Sequence, residues 1–211
     1  MMQIQAAMEN EPLIDAAIRR ELSKLYDAEG RHYHGLAHIE ALLAVAEEHR
    51  SALSDPEAVE AAIWFHDAIY DSRKPDNETQ SAALAARMLH DRTSAKRIGR
   101  IVAMIEATST HQPPKALDAS AKRDAALFLD MDLSILGADP ADFDAYERAV
   151  RLEYGWVPEP AWRAGRAEVL RKFLTRANIF HTEQFRGPLE AKARQNIERS
   201  LVALEGAVTG P

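Results

Sequence analysis

A histidine and an aspartate stand side by side in one of the most apolar stretches of the chain. His66 and Asp67 lie within residues 61–70, where every other side chain is aliphatic or aromatic. Such a stretch is typical of a helix that the fold buries on every side. A buried imidazole or carboxylate is costly unless another group pairs with it, and a metal ion, a hydrogen-bonding group or a second charge could do so. The rest of the chain must therefore provide that partner.

Two further histidines lie upstream of this pair, at a spacing that suits one helix face. His34 and His38 are four residues apart, so they would point to the same side of a helix. His38 is the better candidate ligand, because apolar residues at positions 39, 42 and 43 would hold its helix against the core. The alternative for a lone buried histidine is a hydrogen bond to a backbone carbonyl.

A second apolar run, residues 127–136, is interrupted by Asp130 and Asp132. Buried carboxylates without partners are rare, so this run also indicates a shared cation or a set of hydrogen bonds. The two side chains point about 200° apart around a helix, and both cannot reach one ion without distortion. Helix geometry therefore allows only one of them as a ligand. The cation site predicted from all three stretches comprises His38, His66, Asp67 and either Asp130 or Asp132.

The chemistry of such a site would be that of nitrogen and oxygen ligands, because the chain has no cysteine. These donors suit one divalent ion of Mn, Fe, Ni, Co, Zn or Mg and leave positions open for water and substrate. A closed structural zinc site would more often use cysteine. An open site predicts hydrolysis, since the metal lowers the pKa of bound water and polarises the electrophile.

The chain contains a second His-Asp dipeptide, His90-Asp91, so the dipeptide alone indicates little. It is followed by Arg92 and Thr93, a polar composition typical of a turn. We expect this second pair to be solvated at the surface.

Composition narrows the functional classes further. The net charge of −7 over 211 residues argues against a face that binds duplex nucleic acid. No apolar run approaches the roughly 20 residues that cross a bilayer, and the N-terminal residues lack a secretory pattern. We therefore expect a cytoplasmic protein without membrane partners. An alanine-rich face at residues 82–86 could belong equally to the core or to a homodimer interface.

Helical spacing of apolar residues recurs along the whole chain, and no stretch shows the alternation of a strand. Asp55-Pro56 is a helix start, with Asp as N-cap and Pro at the first helical position, and this helix is predicted to run to about Tyr70. The fold prediction is all-α, with about eight or nine helices in a single compact domain spanning 1–211. Helices from about residue 158 onward are expected to pack on its core.

Four sequence words in order make the chain similar to a known family. They are Tyr33-His34-Gly35-Leu36-Ala37-His38-Ile39, Phe65-His66-Asp67-Ala68-Ile69-Tyr70-Asp71, Asn77-Glu78-Thr79-Gln80-Ser81-Ala82 and Leu129-Asp130-Met131-Asp132-Leu133-Ser134-Ile135-Leu136-Gly137. With them the chain resembles the HD-domain superfamily of metal-dependent phosphohydrolases, and within it a small bacterial group of predicted phosphohydrolases. The resemblance implies an HD-type helical bundle and the ligands His38, His66, Asp67 and Asp132. Asp130 then becomes a capping or supporting carboxylate.

The resemblance also implies an activity: hydrolysis of a phosphate ester or anhydride of a nucleotide or similar small molecule by a metal-activated water. One metal is expected. The alternative is a binding or regulatory module in which the metal is structural.

Further polar residues are candidates for the same cavity. Asp71, one helical turn after Asp67, could orient the water or bind a second cation. His111 could donate a proton to the leaving group, although a histidine at a helix end needs no such role. Substrate-binding candidates are His34, which could hold a phosphate, and Glu78, which could also cap its helix or accept a hydrogen bond from a metal-bound histidine.

Overall fold

The computed structural model describes residues 12–206, and every regular element among them is helical. This part of the chain contains nine α-helices: α1 Ala16–Tyr26, α2 Leu36–Glu48, α3 Pro56–Phe65, α4 Asn77–Leu89, α5 Ala95–Ala107, α6 Ala119–Asp132, α7 Pro140–Glu153, α8 Glu159–Leu174 and α9 Glu183–Gly206. Short 3₁₀ segments occupy Arg50–Ala52 and Leu133–Gly137. The all-α prediction is confirmed.

Residue contacts divide the chain into two compact units, one ending at Leu129 and the other beginning at Asp130. The single domain over residues 1–211, with helices from about 158 packed on its core, stays a prediction. Among residues 12–206, no helix is both long and apolar enough to cross a membrane.

Helix α3 lies at the centre of the first unit, where it contacts α1, α2, α4 and α5. Its residues Ala58, Val59 and 61–65 are all buried, as the apolar sequence predicts. Burying a side chain the size of Ile63 or Phe65 stabilises the fold by about 1.5–3 kcal/mol. The position of α3 is therefore tightly defined by packing along most of its length.

Charged groups hold the N-terminal end of α3. The Asp55 carboxylate accepts a hydrogen bond from a backbone N–H of the first turn, and Pro56 follows it, as predicted. The buried Asp124 carboxylate accepts hydrogen bonds from the N–H groups of Ser54 and Asp55, at 2.8 and 2.9 Å. Arg97 donates to Asp55 from α5. These contacts satisfy groups that a helix start leaves without intrahelical partners.

The C-terminal end of α3 differs from the prediction. The helix ends at Phe65, not near Tyr70, so His66 and Asp67 follow the helix instead of lying within it. The His66 N–H makes a last helical bond to Ala62 O at 2.9 Å, and the Ala68 N–H then bonds Phe65 O at 3.0 Å, a tighter i→i+3 turn. The apolar run continues past this point, but it belongs to the turn. We call residues 66–68 the ligand turn.

In the second unit, α9 packs against α8 and against the 3₁₀ segment Leu133–Gly137. A Cβ atom at Gly137 would lie 2.7 Å from the Leu189 Cβ, so this close approach requires glycine. The buried Asn196 side chain donates to Leu136 O and Ala138 O at 3.0 and 2.9 Å. This amide therefore satisfies carbonyl groups where the 3₁₀ segment ends.

Candidate metal site

Three of the predicted ligands come together in the first unit. His38, His66 and Asp67 each offer one ligand atom, and these atoms all lie within 4.8 Å of one another. His38 is in the first turn of α2, whereas His66 and Asp67 belong to the ligand turn. Both histidines are buried and the aspartate is half-buried. The group therefore has the donor types and the spacing for one small cation.

The hydrogen bonds of His66 define how its ring faces the aspartate. His66 Nδ1 lies 2.9 Å from the carbonyl oxygen of Ile63. A carbonyl only accepts hydrogen bonds, so Nδ1 must carry the hydrogen. The other nitrogen, Nε2, lies 3.1 Å from Asp67 Oδ2. In the neutral tautomer both of these atoms are acceptors, and a proton or a metal ion could join them.

This arrangement is the one expected of a metal-binding histidine. Such histidines almost always donate their second ring N–H to a carboxylate, a carbonyl or water, which holds the tautomer and the ring orientation. The Ile63 carbonyl takes that role for His66. The residues present therefore fit a divalent ion, on the chemistry of the donors and on the orientation of this ring.

Aromatic rings line the histidines. The Phe128 ring meets His66 edge-on, with ring centroids 5.8 Å apart, and Tyr33 lies 4.8 Å from His38. The His34 ring stacks on Tyr70 at 4.4 Å. These contacts restrict ring rotation and lower the polarity around the site, which strengthens electrostatic interactions there.

The predicted substrate-binding residues lie on either side of the ligand turn in the sequence. His34 is half-buried just before α2, and its ring centroid lies 6.3 Å from that of His38. Glu78 is half-buried in the first turn of α4, where its charge is favourable to the helix dipole. Their roles toward a substrate stay predictions.

Asp71 is engaged in the loop that follows the ligand turn. Its Oδ1 accepts a hydrogen bond from the Arg73 N–H at 3.0 Å, and its backbone N–H and carbonyl both bond the Asn77 side chain. Among residues 12–206, the group that could hold a metal contains His38, His66 and Asp67 but not Asp71. A catalytic role for Asp71 stays a prediction.

His111 has an unusual backbone conformation. It follows α5 with φ of +49°, the left-handed region, and its N–H bonds Ala107 O at 2.8 Å. That bond is typical of a residue that ends a helix. This geometry explains the backbone of His111, and its proposed role as a proton donor stays a prediction.

The two aspartates of the second apolar run differ clearly in their surroundings. Asp130 is fully buried and accepts three hydrogen bonds, from the N–H groups of His181 and Thr182 and from the Thr182 hydroxyl, at 2.7, 2.7 and 2.6 Å. Burial raises the pKa of Asp130, and these hydrogen bonds oppose that rise. Asp130 thus caps the chain that leads into α9, which agrees with the capping role of the two roles predicted for it.

Asp132 is the last residue of α6, half-buried and part of the second unit. Burial raises the pKa of Tyr146; Arg166 opposes this rise, whereas Glu147 and Asp132 add to it. The negative charge of Asp132 therefore acts on the Tyr146 hydroxyl. Arg166 Nη2 donates a hydrogen bond to the oxygen of this buried hydroxyl at 2.8 Å. Ligation by Asp132 stays a prediction of the resemblance.

Sequence reasoning missed two residues that bind carbonyl groups at the C-terminal end of α3. Arg31 donates hydrogen bonds to the carbonyl oxygens of Asp67 and Ala68, and the buried Tyr26 hydroxyl donates to Trp64 O at 3.0 Å. No local pattern signals such contacts, because they join residues more than 35 positions apart.

A scan of protein-family models, a search of curated proteins and a search of solved structures each found no match to this chain. The resemblance to HD-domain phosphohydrolases therefore stays a prediction from the four sequence words given above.

Proposed function

We propose that this protein is a metal-dependent phosphohydrolase that acts on a small-molecule phosphate ester or anhydride. The observation that carries the proposal is the contact between His66 Nε2 and Asp67 Oδ2, with His66 Nδ1 already bonded to Ile63 O. A divalent ion could bind both of these atoms together with His38, whose ring centroid lies 5.4 Å from that of His66.

The donor set supports an open site. Two imidazoles and one carboxylate from the first unit leave coordination positions for water and for a phosphate oxygen, and nitrogen and oxygen ligands suit Mn, Fe, Co, Ni, Zn or Mg. The resemblance adds Asp132 as a fourth ligand. It also supplies the reaction class, because the ligand types alone are compatible with several kinds of metal chemistry.

In such a site the ion would lower the pKa of a bound water and polarise the phosphoryl group of the substrate. Residues of the chain would orient the water, bind the phosphate and protonate the leaving group. Asp67 would bind the ion through one oxygen and accept a hydrogen bond from the attacking water with the other. His34 would donate a hydrogen bond to a phosphate oxygen, and His111 would protonate the leaving group.

Elemental analysis together with a hydrolysis assay tests this proposal. Purified protein is loaded with Mn²⁺, Co²⁺ or Zn²⁺, its bound metal is counted, and turnover is followed on a panel of phosphate esters and anhydrides. We expect wild type and the control His90→Ala to bind one ion and to hydrolyse at least one substrate. His66→Ala and Asp67→Ala should lose both properties.

The possible outcomes separate the alternatives. If His66→Ala and Asp67→Ala keep metal and activity, the proposed site is wrong. If wild type binds the ion and is stabilised by it but hydrolyses nothing, the ion is structural and the chain is a binding or regulatory module. If no metal binds, the proposed function is wrong and His38, His66 and Asp67 belong to a metal-free helical scaffold.

A further inference from the structure

One arginine connects the two chain segments that carry the three candidate ligands. Arg31 Nη1 donates to the carbonyl oxygen of Asp67 at 2.6 Å and to that of His34 at 2.9 Å. Its Nη2 donates to Ala68 O at 2.9 Å. The first and third of these acceptors belong to the ligand turn, and the second immediately precedes Gly35, the N-cap of α2. A single guanidinium therefore spans both sides of the site.

The position of this guanidinium is itself well defined. It lies over the rings of Tyr26 and Tyr70, 5.1 and 5.5 Å from their centroids. A cation is also favoured at the C-terminal end of a helix, where the dipole leaves partial negative charge. Aromatic contacts and helix charge thus hold Arg31 at the end of α3.

The carbonyl groups that Arg31 binds have no helical alternative. Because α3 ends at Phe65, the oxygens of Asp67 and Ala68 lie beyond its hydrogen-bonding pattern. Loss of the guanidinium would remove a donor from both carbonyl groups, at a place where Asp67 is half-buried and Ala68 is buried. The turn could then move relative to α2, and metal ligands must keep their distances to within about 0.2 Å.

We propose that Arg31 is a positioning residue of the metal site: it joins the ligand turn to the start of α2 and so sets the spacing of His38, His66 and Asp67. This inference rests on the proposed function in that it assumes the ion. Arg31 acts through backbone carbonyls and need not touch metal or substrate. Its planar fork matters, since lysine carries the charge but cannot reproduce three directed hydrogen bonds.

The chain offers a matched control at the other end of α3. Arg97 is also partly buried, and it holds the N-terminal end through Asp55 and Glu57. Arg97→Gln removes a comparable arginine contact, made from α5 to the other end of α3, without touching the ligand turn. Tyr26→Phe is a second control, because it removes the bond to Trp64 O and keeps the ring beneath Arg31.

The experiment measures binding of Mn²⁺ alone by calorimetry and the visible spectrum of Co²⁺-loaded protein, using the full chain. We expect Arg31→Gln to weaken Mn²⁺ binding by about 10–100-fold, the usual effect of losing a group that supports a metal ligand. The Co²⁺ spectrum should change as well, because it reports ligand geometry. Arg97→Gln and Tyr26→Phe should keep wild-type affinity and spectrum, even where the melting temperature of the metal-free protein falls.

Wild-type affinity in Arg31→Gln, or an equal loss in Arg97→Gln, would overturn the inference. If Arg31→Gln does not fold, Arg31→Lys decides: weakened binding in the folded lysine variant supports the role, and unchanged binding contradicts it. If wild type binds Mn²⁺ without hydrolysing any substrate, the proposed function fails, and weaker binding in Arg31→Gln still supports the positioning role. If wild type binds no metal, both fail.

Discussion

The two His-Asp dipeptides of this chain have the same local backbone conformation but differ in how far they are exposed to solvent. His66 and His90 each occupy the position directly after a helix, and both keep helical backbone angles, φ and ψ of −57° and −38° against −50° and −46°. In each pair the ring contacts the neighbouring carboxylate, at 3.1 Å for Asp67 and 2.8 Å for Asp91. The side chains are 1% and 15% exposed in the first pair, and 79% and 94% in the second.

The ring nitrogens explain why only one pair is a candidate site. His90 uses Nδ1 to meet Asp91, so an ordinary N–H donor faces the carboxylate. His66 uses Nδ1 for Ile63 O, which turns Nε2 toward Asp67. A His-Asp dipeptide at a helix end is therefore not sufficient to form a candidate metal site. The site needs burial, a carbonyl that holds the tautomer, and a further ligand, His38, from another helix.

The largest expected difference between the pairs is in metal affinity. Asp67→Asn keeps the shape of the side chain but removes the negative charge, and we expect it to weaken Mn²⁺ binding by more than the roughly 10–100-fold typical of a supporting residue. Asp91→Asn should bind like wild type. Calorimetric titration measures both, and equal affinities in the two variants would remove the distinction.

The second expected difference is in stabilisation by metal. An ion at 100 times its dissociation constant should raise the free energy of unfolding by about 2.7 kcal/mol, provided that it binds only the folded chain. Wild type and His90→Ala should show this increase in urea melts, and a chelator should abolish it. His66→Ala should melt identically with and without metal; a retained increase would locate the ion elsewhere.

A buried carboxylate outside the two dipeptides tests whether burial alone makes a ligand. Asp130 lies in an apolar helix, as Asp67 was predicted to do, but donors from His181 and Thr182 surround it. We expect Asp130→Ala to lower the free energy of unfolding by about 1–3 kcal/mol, because N–H groups lose their acceptor. Thr182→Val, which removes only the hydroxyl contact, should cost less.

Metal binding by folded Asp130→Ala provides the control for that experiment. Affinity for Mn²⁺ close to that of wild type would place this carboxylate among the structural groups. A loss comparable with that of Asp67→Asn would contradict the assignment of Asp130 as a cap.

Features that depend on residues close together in the chain could be predicted from the sequence, whereas contacts between distant residues could not. The start of α3 was predicted because Asp55 and Pro56 act within one turn. Its end was not, because the ligand turn is held by Arg31, far away in the chain. Likewise the apolar run around Asp130 indicated a partner but could not show that it lies at residues 181 and 182.

The candidate site also combines features that the sequence predicts with features that depend on long-range contacts. Apolar neighbours singled out His38, His66 and Asp67, because a polar side chain buried by its helix needs a partner, and the structure brings these three together. The tautomer of His66 depends on one carbonyl distance, which no sequence pattern contains. Metal binding itself and ligation by Asp132 stay predictions.

The smallest expected effect is on the surface pair, and it completes the comparison. Exposed ion pairs contribute little, because water screens the charges and the side chains must be ordered to meet. We expect His90→Ala, Asp91→Ala and the double variant each to change the melting temperature by less than about 2 °C. Differential scanning calorimetry with metal-free protein measures this. A larger change, or a coupling between the two substitutions, would mean that His90 and Asp91 interact strongly despite their exposure, and burial would then no longer explain the difference between the pairs.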